Sequence, residues 1–106
     1  MKINFLGSSI ERILTGKKTI TWRVGKKYEK LNPGKKLIFY ANGKKFAKAK
    51  VLWIKKTTFE NLTEEDKEGH KVYKNIEEMC KTFSSYYKKK VTPKTKLFII
   101  KFKILK

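Results

Sequence analysis

The chain has 106 residues, of which 40% are hydrophobic and fourteen are aromatic, and these figures exclude general disorder and support one domain spanning residues 1–106 around a modest core. Lysine and arginine number 28 against 9 acidic residues, a formal net charge of +19, which predicts attraction to polyanions, nucleic acid above all. No stretch approaches the roughly 18–20 apolar residues of a transmembrane helix.

The N-terminal stretch is too short and too soon polar for a signal peptide, so a cytoplasmic location without membrane association is the expectation. The lone Cys80 has no internal disulfide partner, which agrees with a reducing compartment. Of the 28 basic residues only Arg12 and Arg23 are arginine. Lysine enrichment on this scale can reflect genome composition or a thermophilic surface, and a positive surface follows either way. An arginine retained among so many lysines points to a need for its planar fork. Arg23 could grip a carboxylate, a phosphate or a base edge, or form an ion pair with a glutamate inside the fold.

In chain order, Ile3 to Leu6 is a short apolar start. Ser8 or Ser9 can cap a helix running to Thr15, with Ile10, Ile13 and Leu14 as its buried stripe. Gly16 sits where helices end. A strand from Thr19 to Val24 follows, then a basic loop from Gly25 to Lys30 and a turn at Asn32-Pro33-Gly34. Lys36 to Ala41 reads as a strand, Asn42-Gly43 as a hairpin turn, and Lys45 to Lys56 as a return strand long enough to bend. In it Ala47, Ala49, Val51 and Trp53 alternate with Lys48, Lys50 and Leu52.

Thr63-Glu-Glu-Asp66 opens a short helix that Gly69 should end, with Asp in the place of the usual Glu or Gln of a capping box. Asn75-Ile-Glu-Glu78 opens a longer helix to Tyr87. Its apolar face is Ile76, Met79, Cys80 and Phe83, which makes Cys80 a packed core residue. After a basic loop from Lys88 to Lys96, Leu97 to Leu105 is a final strand. Helix, strands, helices, strand is the order of an α+β, mainly β arrangement: a mostly antiparallel sheet with helices packed at its ends.

The segment from Ile13 to Arg23 carries the chemistry. Alternation puts Thr19, Thr21 and Arg23 on one face of its strand and Ile20, Trp22 and Val24 on the core face. Lys18 belongs to the turn after Gly16, where alternation does not apply. A lysine becomes a base when burial or neighbouring positive charge lowers its pKa, and Lys17 and Arg23 supply such charge. A threonine hydroxyl becomes a nucleophile when a base takes its proton. A carboxylic acid could then protonate a leaving amine, so Lys18, Thr21 and one carboxylate suffice for amide hydrolysis with no metal and no cofactor. One histidine and one cysteine do not make an ordinary zinc site, and His70 reads as an exposed bystander. No phosphate-cradling glycine motif is present.

The run Ile13-Leu-Thr-Gly-Lys-Lys-Thr-Ile-Thr-Trp-Arg23 resembles the signature of the ASCH family, small PUA-like domains, and within it the branch of small N4-acetylcytidine amidohydrolases. The similarity extends through Leu62-Thr63-Glu64 and Phe98-Ile-Ile-Lys-Phe102. The resemblance implies a small antiparallel β-barrel of five to six strands flanked by two to three helices. It implies deacetylation of N4-acetylcytidine or related N4-acylated cytosine nucleosides, free or carried in RNA. It also implies that Lys18 is the proton acceptor, Thr21 the nucleophile and Glu68 the proton donor, with Glu64, Glu65 and Asp66 as alternative donors. Lys17, Thr19, Arg23 and Tyr40 would contact substrate or RNA, and Tyr28, Phe39 or Tyr40 could stack a base at the mouth of the site. A non-catalytic RNA-binding module is the other reading, with the lysine surface tracking phosphates.

Overall fold

The computed structural model describes every residue from 1 to 106 except Gly69, Lys71 and Lys106. Strand β1 (Lys2–Phe5) leads through a 3₁₀ turn (Gly7–Ser9) into helix α1 (Ile10–Leu14), then β2 (Ile20–Arg23) and a 3₁₀ helix (Lys26–Lys30). Strands β3 (Lys36–Ala41) and β4 (Lys44–Thr58) form a hairpin. Two more 3₁₀ turns (Phe59–Asn61 and Glu65–Lys67) precede helix α2 (Ile76–Tyr87) and strand β5 (Lys96–Leu105).

The five strands make one curled sheet in the order β1-β3-β4-β5-β2. It is a half-barrel flanked by two α-helices. Three pairings are antiparallel and β1–β3 is parallel. The parallel pair arises because α1 and β2 carry the chain to the far edge of the sheet before β3 returns beside β1.

Alternation along the strands builds two cores. Ile3, Phe39, Ala49, Val51, Ile100 and Phe102 line the concave side, with Ile13 from α1 and Tyr28 and Leu31 from the 26–31 segment. Ile20, Trp22, Val24, Leu97 and Ile99 face the other way and meet Met79, Cys80 and Phe83 of α2. Cys80 is buried there as expected.

Local chemistry explains the turns. Asn42 and Gly43 have φ of 53° and 78°, the left-handed pair that a two-residue hairpin demands. Asn75 caps α2 by accepting the Glu78 N–H at 2.8 Å. Gly16 has φ of 80°, its N–H bonds the Ile13 carbonyl, and Lys18 N–H bonds the Arg12 carbonyl at 2.9 Å, so α1 ends with its last carbonyls satisfied.

Four local expectations are corrected. The serines before α1 make no side-chain cap, because the 3₁₀ turn runs straight into the helix. The stripe of α1 narrows to Ile13, since a helix of barely more than one turn offers one position to the core; Leu14 is exposed. The alternation of β4 holds through Val51 and then inverts. Val51 pairs with Phe102 and Trp53 with Lys101, so Leu52 is an extra residue and Trp53 packs on the α2 side. The segment Gly25 to Lys30 is mostly 3₁₀ helix rather than open loop, because Tyr28 and Leu31 need burial. Gly69, expected to end the Glu65–Lys67 helix, lies outside the described residues.

Asp66 ties the 3₁₀ turns to the sheet. Its carboxylate accepts the Thr63 N–H at 3.0 Å while its own N–H bonds the Thr63 hydroxyl at 3.3 Å, a capping box completed by Asp. Lys55 reaches the same carboxylate at 2.9 Å, and the Asp66 carbonyl accepts the Trp22 indole N–H at 2.9 Å. Burial pushes the carboxyl up, but the Thr63 and Lys55 bonds outweigh it and hold the pKa below 3.8. Asp66→Ala is expected to destabilise the fold by about 1–3 kcal/mol at neutral pH, read from urea midpoints, because the part-buried Thr63 N–H and Lys55 ammonium lose their shared acceptor. A depressed carboxyl stabilises above its unfolded pKa and loses that contribution as pH falls through the folded value. The difference between the two proteins should therefore narrow below about pH 3.9.

Candidate active site

The site is built around the concave face of β2. Thr21 pairs with Ile100 and Arg23 with Phe98, so both side chains turn toward the concave core. Thr21 is 3% exposed, and its Oγ accepts the Arg23 Nε–H at 3.2 Å. The Arg23 guanidinium lies 4.7 Å from the Phe5 ring centroid. It also bears on the Tyr87 hydroxyl, which accepts the Val24 N–H at 3.0 Å. A planar guanidinium can stack on Phe5 and present Nε edge-on to Thr21 at once, which an ammonium cannot do.

Lys18 stands in the turn before β2. Desolvation by burial, then the charges of Arg12 and Arg23, bring its pKa from 10.5 down to about 8. The chain's two arginines thus both act on this lysine. A substantial neutral fraction exists near neutrality, which is what a general base needs. Lys18, Thr21 and Arg23 form one electrostatically linked group, joined through Arg23.

Lys17 is exposed beside Lys18, and Thr19 is half-buried with its carbonyl accepting the Phe102 N–H at 3.0 Å. Tyr40 sits on the convex face of β3 beneath the Lys2 ammonium, 5.3 Å from its ring centroid, while Phe39 and Tyr28 are buried in the concave core. Glu68 lines a cavity of about 470 Å³ with Trp22, Glu64, Lys67, His70 and Tyr73. Trp22 points away from Thr21 across β2, an edge strand, so Glu68 lines the Trp22 side of that strand. Glu64 lines the same cavity, Asp66 is committed to Lys55 and Thr63, and Glu65 is exposed.

His70 is half-buried rather than exposed: its ring stacks on Trp22 at 3.7 Å and 10°. Arg12, Phe5 and Tyr87 were not foreseen as part of the site. Only for Arg12 did a signal exist, the scarcity of arginine. Phe5 and Tyr87 come from opposite ends of the chain and carry no local mark. Among the described residues no group of three or more His, Cys, Asp or Glu side chains is placed to hold a metal ion. Nor is any helix of the described residues long and apolar enough to cross a membrane.

No family model and no curated protein matches the chain. Solved structures do. Hypothetical protein PH0355 shares 28% identity over 98% of this chain and 97% of that one, with a TM-score of 0.75. An ASCH domain from Lactobacillus crispatus aligns at 13% identity over 92% of this chain and 70% of that one, with a TM-score of 0.68. An ASCH protein from Zymomonas mobilis aligns at 12% identity over 96% of this chain and 67% of that one, with a TM-score of 0.65. The architecture is therefore that of a small PUA-like barrel with flanking helices. More narrowly, the chain has the ASCH-domain fold.

Lys18 should titrate as an outlier among the lysines. Competitive acetylation across pH, read by peptide mass, is expected to give half-maximal reactivity near pH 8 for Lys18. Arg12→Gln should move that midpoint upward. The unfolded chain binds more protons than the folded one between about pH 8 and 10.5, so this group's contribution to stability rises with pH across that window. Lys18→Met, which lacks the desolvated charge, should gain relative stability below that window and lose the advantage above it, as read from urea midpoints.

Proposed function

We propose that the protein is an amidohydrolase that removes the acetyl group from N4-acetylcytidine or a related N4-acylated cytosine nucleoside. The observation that supports it is that Arg23 holds the Thr21 hydroxyl at 3.2 Å and also bears on the desolvated Lys18 amine, whose pKa falls to about 8. The resemblance of the 13–23 segment to the amidohydrolase signature supplies the substrate class.

In the reaction, neutral Lys18 takes the Thr21 Oγ proton as Oγ attacks the acetyl carbonyl carbon. Negative charge develops on the carbonyl oxygen, in a field made positive by Arg12 and Arg23. The C–N4 bond then breaks, and cytosine N4 leaves with a proton. Water attacks the resulting Thr21 ester while Lys18 removes its proton, and acetate departs as Thr21 regains hydrogen. The resemblance gives the leaving-group proton to Glu68. The position of Glu68 on the Trp22 side favours the Lys18 ammonium, which holds a proton at the right moment and can return it.

The second reading is an RNA-binding module without catalysis. The burial of Thr21 favours it, since a residue 3% exposed offers little surface for a carbonyl to approach. The +19 charge favours it too, because a free nucleoside needs no such field.

Incubation with N4-acetylcytidine, followed by chromatographic detection of cytidine, is expected to show turnover that rises with pH to a plateau above about 8. Lys18→Ala and Thr21→Val should each lower kcat by about 10²–10⁴-fold, while Thr21→Ser retains measurable turnover. Turnover that survives in both of the first two variants would falsify the assigned mechanism. Glu68→Gln should cost less than about tenfold. A loss as large as that of Lys18→Ala would return the proton-donor role to Glu68 and require the 64–73 segment to reach round the edge of β2.

A further inference from the structure

The convex face of the sheet carries an unusual row. Lys36 pairs directly with Lys50, and Lys50 with Lys103, across three adjacent strands. The next row along is Lys2, Ile38, Lys48 and Leu105. Lys2, Lys36, Lys48, Lys50 and Lys103 are all exposed. Ile38 and Tyr40 lie between them, half-buried. No Asp or Glu occurs in any of the five strands. None of the ion pairs formed among the described residues involves these lysines. Helix α2 covers the other end of the convex side, over Ile20, Trp22 and Leu97, and leaves this end open.

Like charges directly opposite one another on neighbouring strands destabilise a sheet. Three in a row, with no carboxylate interleaved, make sense as a surface completed by a polyanion. Their spacing is regular: strands lie about 4.8 Å apart, and alternate residues along β4 about 6.8 Å apart. The lysines therefore form a lattice rather than a cluster, suited to a chain of evenly spaced phosphates rather than to one anion. Tyr40, with Lys2 over its ring at 5.3 Å, offers a flat aromatic beside the lattice, and bases stack on such surfaces when they are unpaired.

We propose that this convex lysine face, centred on Lys36, Lys50 and Lys103, binds the backbone of single-stranded RNA, with Tyr40 stacking a base. The proposal rests on the RNA reading for its choice of RNA and needs no hydrolysis. It gives Tyr40 a role on the face opposite Thr21. If the deacetylase reading also holds, the substrate is a modified cytosine within RNA, bound by a surface separate from the reacting groups.

The test is a fluorescence-anisotropy titration with a short oligouridine at about 50 and about 200 mM salt. Lys36→Gln/Lys50→Gln/Lys103→Gln is compared with the charge-matched Lys88→Gln/Lys89→Gln/Lys90→Gln. The face variant is expected to weaken binding by about tenfold or more and to reduce the salt slope by about 2, as for three lost phosphate contacts, whereas the loop variant changes little. Tyr40→Ala should weaken binding without altering the slope. Equal losses in the two triple variants would mean that binding follows net charge alone and would overturn the proposal. So would face-dependent binding of anionic lipid vesicles with none to oligouridine. In the unaltered protein, bound oligouridine should shield Lys36, Lys50 and Lys103 from acylation more than Lys88, Lys89 and Lys90; uniform shielding overturns the proposal even if a variant misfolds. Turnover of free N4-acetylcytidine should be unchanged in the face variant; turnover by an unaltered protein that does not bind oligouridine at low salt would overturn this proposal and leave the deacetylase reading standing.

Discussion

The antiparallel ladder between β2 and β5 is the constraint on which the rest of the structure depends. Four residues pair in strict register, Ile20 with Lys101 through Arg23 with Phe98, and each step turns the next side chain to the opposite side. A slip of one residue would send Thr21 and Arg23 toward α2 and drive Trp22 into the concave core. The register is held from both sides. On one, Trp22 sits 3% exposed among α2 residues and gives its indole N–H to Asp66. On the other, Arg23 is sandwiched between Phe5 and the Tyr87 hydroxyl. The candidate chemistry and the packing of the longest helix are thus two readings of one alternation.

Much of this was legible in the sequence, for local reasons. Gly16 marks the end of α1, Asn42-Gly43 the hairpin and Asn75 the start of α2, because each meets a backbone demand that few residues satisfy. The two faces of β2 follow from alternation alone, and so does the release of Lys18 from that alternation by the turn after Gly16. What escaped were facts that depend on other parts of the chain. The parallel β1–β3 pair needs knowledge of where β2 goes. The inversion at Leu52 leaves no mark in an apolar alternation that looks regular through Trp53. His70 looked exposed beside glycine and lysine, yet the ring of Trp22 gives it a flat apolar surface to cover.

Charge is distributed in this protein by element type. The strands carry lysines and no acids, and the acidic residues sit in helices, turns and loops. Where acid meets base, as at Asp66 and Lys55 or Glu29 and Lys56, the pair ties a loop to the sheet. The open convex face is left uncompensated. Arginine follows a different rule. Both copies bear on Lys18, and the effect there comes from fixed positive charge close to a desolvated amine rather than from the diffuse field of the whole surface.

The extra residue at Leu52 has a consequence for how such a domain can change. Before it, β4 sends Lys48 and Lys50 to the open convex side and Val51 to the concave core; after it, Trp53 and Lys55 serve the α2 side while Ile54 turns inward. Losing that one codon would leave Val51 opposite Phe102 and Trp53 opposite Lys101, so plain alternation would keep Trp53, Ile54 and Lys55 on their present sides and Asp66 within reach of Lys55. Point substitutions can tune either surface by degrees. An insertion or deletion elsewhere in β4 exchanges the two sides for every residue beyond it at once, so away from Leu52 the length of this strand is under tighter constraint than the identity of most residues in it.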